Sequence, residues 1–117
     1  MLFEESEVNS VQVMKVLERR IAADTAGRFR SQIIEKVKNG THAVVLDLEN
    51  VTFIDSSGIG ALVSVLKTLG SRCAVGLCGV RGAVAAAFRL SRMDRVFLLY
   101  GNASEALAAL APAHARQ

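Results

Sequence analysis

The stretch VVLDLENVTFIDSSGIGALVSVLK, Val44 to Lys67, decides how the chain folds. It opens with apolar Val44, Val45, Leu46 and Leu48, passes through a small polar knot at Asp55-Ser56-Ser57-Gly58, and enters a second apolar run. The first part has the bulk of a buried strand. In the second, Ile59, Leu62, Val63, Leu66 and Leu69 fall at helical intervals, closed by Gly70. The knot therefore sits where a strand gives way to a helix. In an open parallel sheet that junction lies at the carboxyl edge, the usual place for function. A loop that only turned the chain would not need both hydroxyls.

The flanking segments extend the pattern. LFEESEV and VQVMKVL alternate and are separated by Asn9-Ser10, which predicts a hairpin. ADTAGRFRSQIIEKVKNG, residues 23–40, reads as a helix of about four turns, with Asp24 as N-cap and Gly40 past its end. Ala26, Phe29, Ile33 and Val37 give it an apolar face, and Lys36 and Lys38 suit the negative end of its dipole. RCAVGLC is a further buried strand, GAVAAAFRL a short helix with Val84, Ala87 and Phe88 on one face, and RVFLLY a last strand. NASEALAAL is a closing helix opened by Asn102 or Ser104. Strands alternating with helices imply right-handed crossovers. The expected fold is a single α/β domain over residues 1–112, with a mixed, mostly parallel sheet, an N-terminal hairpin and about four helices. Residues 113–117 are expected to fray.

Composition narrows the function. At 117 residues the chain suits one domain, burying roughly two-thirds of its unfolded surface. Hydrophobic residues at 51% and charged ones at 21% argue against global disorder. No apolar run approaches the roughly 20 residues that span a bilayer. The opening MLFEESEV lacks the basic start and apolar middle of a signal peptide, so a cytoplasmic location without membrane insertion is expected. A net charge of +3, no Trp and one Tyr do not make a nucleic-acid platform. Cys73 and Cys78 lie in one predicted strand, on opposite faces and about 16 Å apart, too far to pair. With no His/Cys cluster beside them, neither a metal nor another cofactor is expected.

Two readings of the knot stand side by side. In the plain one, Asp55 or Ser56 caps the helix and Ser57 is a second capping hydroxyl. In the other, Ser56 accepts a modification at a helix terminus whose free amides favour negative charge, while Gly58 and Gly60 let another surface approach. An enzyme fits less well. GIG lacks the third glycine of a dinucleotide fingerprint, Val63 standing there. Ser56 is not in a Gly-x-Ser-x-Gly elbow. The histidines are His42, at the far end of a predicted strand, and His114, in the tail, so neither is placed as a general base.

VVLDLENVTFIDSSGIGALVSVLK closely resembles the signature of the STAS domain family, and in particular the stand-alone anti-sigma factor antagonists. ADTAGRF, AVAAAFRLSRMDRVFLLY and ASEAL extend the likeness over nearly the whole chain. The resemblance implies a serine at the start of the second helix that a partner serine kinase phosphorylates, the kinase being an anti-sigma or switch protein. The matching residue is Ser56. The unphosphorylated form would bind that kinase, phosphorylation would release it, and a PP2C-type phosphatase would reset the switch. Asp55, Ser57, Gly58 and Gly60 would shape the site. A non-switching subunit of a transporter or stress-sensing assembly is the alternative.

The chain departs from its relatives at two places. Ala22 stands where they carry an acid before the first helix, and Arg92 where they tend to carry glycine. Arg81, Arg89, Arg92 and Arg95 cluster around the third helix with only Asp94 opposing them. They form either a solvated basic face or a dock for an acidic partner. Ile59 and Met93 would supply the dry part of such a dock, with Arg89 and Arg92 as its charged part. Oligomeric state is not legible here.

Overall fold

The computed structural model describes residues 3–112; His114 and the expected frayed tail lie outside them. The opening hairpin pairs β1 (Phe3–Val8) with β2 (Val11–Val16) antiparallel, in register Val8 to Val11. Asn9 and Ser10 both take positive φ, 51° and 65°, as a two-residue turn matching strand twist requires. β2 then pairs in parallel with β4 (Ala43–Asp47), β4 with β6 (Ala74–Cys78), and β6 with β7 (Leu98–Tyr100). The order is β1-β2-β4-β6-β7.

Both faces of this sheet are covered, so β4 is buried at every position and reads as a continuous apolar run. Three helices, α1 (Ala26–Lys36), α2 (Ser56–Leu69) and α3 (Gly82–Leu90), close one face. Phe29, Ile33, Leu62, Val65, Val84 and Phe88 meet Met14, Val44, Leu46 and Leu77 there. The other face carries α4 (Ala103–Leu110), whose Ala106 and Leu110 pack on Val11, Val13, Val45 and Cys78. Asn102 opens α4, accepting the Glu105 amide at 2.9 Å.

Several local expectations change. Asp24 does not cap α1; Thr25 precedes it, and Asp24 pairs with Arg20 at 3.1 Å. The helix has 11 residues, about three turns, because Val37 is already extended. Gly40 lies in the following turn at φ 83°. In α2 the fully buried side is Gly58, Ala61, Leu62, Val65 and Leu69, while Ile59, Val63 and Leu66 are half-buried. RVFLLY contributes only its last three residues to β7, since Met93–Arg95 form a 3-10 turn. Cys73 and Cys78 are free and fall on opposite sides of the sheet, packing with the three-helix and the α4 cluster respectively. Burial and Asp47 push the Cys78 thiol up to about 12, so it is inert as a nucleophile.

One element had no sequence signal. Arg20–Ile21 (β3) and Phe53–Ile54 (β5) form a separate two-stranded parallel ribbon. The polar knot follows this ribbon rather than a strand of the main sheet.

Candidate functional site

The corner at the knot is built from three segments: β5, the start of α2, and the loop after β3. Asp55 is the N-cap of α2, with extended backbone. Its Oδ1 accepts the Gly58 amide at 2.9 Å, and its Oδ2 accepts the Ala23 amide at 3.1 Å. Its own amide donates to the Ile21 carbonyl. One carboxylate thus satisfies a free helix amide and ties α2 to the β3 loop. The Gly58 amide above all, then those of Ala23 and Ser57 and the nearby Arg20 charge, hold the Asp55 carboxyl below its usual range.

Gly58 is buried against the ribbon. A Cβ there would lie 2.3 Å from the Ile21 carbonyl oxygen and 2.6 Å from Ile54 Cγ1. Its missing side chain serves the chain's own packing. Gly60 is different: it is exposed, and nothing lies within 4 Å of a Cβ added there. Of these two glycines, Gly60 is the one that leaves open space.

Ser56 and Ser57, the first two residues of α2, are both exposed. Neither hydroxyl caps the helix, because Asp55 does. The plain capping reading of the serines is therefore replaced by a capping aspartate beside two accessible hydroxyls. Asp55 also holds the anion position at the helix start. Phe53, 48% exposed, adds an apolar surface next to the knot, with the Arg20 guanidinium 5.8 Å from its ring centroid. Phe53 was not singled out from sequence; its exposure follows from the unforeseen ribbon.

The remaining candidates are more dispersed. Ile59 and Met93 are half-buried and pack on the main core. α3 packs beside β5, next to the corner. Arg89 lines a groove of about 270 Å³ on the β7 side of that helix, with Phe88, Asp94, Leu99 and Tyr100. Arg92 is exposed and takes the left-handed conformation, φ 62°. Glycine adopts that conformation without strain. Ala22 is 2% exposed, and its carbonyl accepts the Thr25 and Ala26 amides. Among the described residues no cluster of three or more His, Cys, Asp or Glu could hold a metal, and no helix is long and apolar enough to cross a membrane.

The model of the STAS domain matches residues 7–106. The chain belongs to the STAS domain family. An anti-sigma factor antagonist from Mycobacterium paratuberculosis superposes with a TM-score of 0.82 at 27% identity, covering 93% of this chain and 92% of that one. An anti-sigma-factor antagonist (STAS) domain protein from Planctomyces limnophilus gives 0.81 at 24% identity, covering 93% and 97%. Part of the murine anion transporter solute carrier 26 family member A9 also shares the fold, with a TM-score of 0.73 at 18% identity over 87% of this chain and 18% of that one. The STAS chain described here resembles stand-alone anti-sigma factor antagonists over nearly its full length.

Proposed function

We propose that this STAS domain is a phosphorylation-switched binding module of the anti-sigma factor antagonist kind. Ser56 is the phosphoacceptor, an anti-sigma or switch serine kinase is the partner, and a PP2C-type phosphatase resets the site. The observation that carries the reading is the Asp55 carboxylate already seated on the Gly58 and Ala23 amides beside an exposed Ser56.

Phosphate adds about −1.5 to −2 charges at that point. The fold does not need to move, since Ser56 is exposed at the start of α2. A docked protein is affected far more. A carboxylate on it about 5 Å away would feel roughly 3 kcal/mol of repulsion per unit charge at an effective dielectric near 20. That is a loss of about a hundredfold or more in affinity. Phe53 and Ile59 supply apolar contact, and Arg89, Arg92 and Met93 extend the surface across α3. The module works by binding and catalyses nothing itself.

The test is capture of the partner with Ser56 variants. Ser56→Ala should bind constitutively, and Ser56→Glu should bind at least about a hundredfold more weakly with an unchanged melting temperature. Equal affinities for the two variants would refute the switch. The alternative, a permanent subunit of a transporter or stress-sensing assembly, has only the shared fold behind it. It requires an unmodified Ser56 in a chain that stays in a large complex, which intact mass of the native protein would reveal.

A further inference from the structure

The two edges of the five-stranded sheet are finished differently. β1 is six residues long, and its exposed positions include Glu4, Glu5 and Glu7. Charge along a long edge strand discourages pairing with another chain. β7, at the other edge, is Leu98-Leu99-Tyr100 and carries no charged side chain. Leu98 is 48% exposed and Leu99 36%, with Val96 just before them at 50%. Among the described residues no strand pairs with the outer side of β7. The strand is short, but it is open and apolar.

The charges around β7 indicate what covers it. Before the strand stand Arg92, Asp94 and Arg95, all exposed and outside every ion pair among the described residues, with the two arginines in excess. After it stands Glu105, whose Oε2 accepts the Gly101 amide at 2.9 Å and so brings a carboxylate to the strand's end. A strand with net positive charge before it and an anion after it is complementary to its own copy turned antiparallel. An acidic protein of another kind would answer the arginines and be repelled by Glu105.

The geometry points to a symmetric homodimer in which β7 pairs antiparallel with β7 of a second copy, joining the two sheets edge to edge. A twofold axis at Leu99 sets Leu99 against its own copy and Leu98 against Tyr100 of the second copy. Leu98 and Tyr100 register with Gly76 and Cys78, which places both on the α4 side. The Tyr100 ring packs inward over Gly76 of its own chain, so the exposed Leu98 is covered by the apolar edge of the second copy. Beyond the three paired residues the 3-10 turn of one copy, with Arg95, lies at the strand end from which α4 of the other departs with Glu105. No residue of the α2 corner belongs to this seam, which shares only Arg92 with the surface proposed for the kinase, so the dimer is tested apart from the switch.

The test is sedimentation equilibrium of the full chain over about a thousandfold concentration range up to roughly 0.5 mM. The mass should rise from monomer to dimer, and Leu98→Lys should raise the dissociation constant at least about tenfold. Arg95→Glu and Glu105→Arg should each weaken the dimer, and the double variant should restore it to within about threefold of the parent. Circular dichroism checks that each variant is folded. If Leu98→Lys is not, the charge swap still decides. A chain that stays monomeric throughout overturns the proposal, as does a dimer indifferent to both Leu98→Lys and the charge swap. A chain ending at Pro112 that dimerises when the full chain does not would make residues 113–117 the occupant of the edge, and the proposal would fall.

Discussion

The entry to α2 and the exit from α3 flank the same candidate surface, and they treat the backbone in opposite ways. At the entry, each position holds the residue its geometry demands. Gly58 sits where a Cβ would strike the Ile21 carbonyl, and Asp55 meets amides from two segments. At the exit, the chain turns through Arg92 at φ 62°, a conformation that costs a non-glycine residue about 1–2 kcal/mol. The Arg92 side chain is exposed and forms no ion pair among the described residues, and its backbone donates to the Arg89 carbonyl and accepts the Arg95 amide. The entry is over-determined and can carry an added charge without deforming. The exit keeps a guanidinium at the expense of the backbone, the kind of local conflict found at functional surfaces.

The sharpest break of this contrast is at the glycines of α2. Gly58→Ala forces a methyl against backbone and against Ile54, and should destabilise by about 1–3 kcal/mol, or more if the ribbon cannot shift. Gly60→Ala meets open space in a helix and should stabilise by about 0.5–1 kcal/mol. Urea unfolding of both variants measures the two together. Similar values for the pair would mean that the ribbon yields and that the entry is softer than its contacts imply.

Next in size is Asp55→Asn. The amide keeps one acceptor for Gly58 but turns an NH₂ toward the Ala23 amide, donor against donor. The native carboxyl titrates below its ordinary value of 3.8, so its contribution is present in full above that pH. It is lost as pH falls through the folded-state value. The parent should therefore melt higher than Asp55→Asn at neutral pH, and the gap should close below about pH 4. A gap that persists unchanged into stronger acid would mean that the carboxylate's charge is not what holds the corner.

The contrast also shows what a sequence can and cannot disclose. The hairpin was legible because Asn9-Ser10 separates two alternating runs. The opening of α4 was legible because Asn102 caps its own helix. Both signals are local. The β3–β5 ribbon has two residues per strand, too few to carry a period. Its absence from the sequence reading hid the packing role of Gly58, the exposure of Phe53, and the second acceptor duty of Asp55 toward Ala23. Ser56 was accessible by position alone, at the first turn of a helix. Arg92 itself gave no backbone signal, because left-handed turns are read from glycine and asparagine; only the resemblance, which implies glycine there, pointed to the position.

Arg92→Gly is the smallest of these effects and separates the two accounts of the exit. Removing the Cβ relieves the left-handed conformation, while glycine's freer unfolded state takes back part of the gain. The net should be a stabilisation of about 0.5–1 kcal/mol, read by urea unfolding. If the guanidinium serves a surface, the same variant should associate more slowly with the captured partner, most clearly at low salt, because an exposed interfacial charge acts chiefly on the association rate. Gly58→Ala carries no such signature; its loss should track the folded fraction and be insensitive to salt. A more stable Arg92→Gly protein that associates at the parental rate would return Arg92 to a solvated face and leave its strain without a functional counterpart. A variant no more stable than the parent would mean that the arginine stem packs on the 3-10 turn strongly enough to offset the conformation it forces.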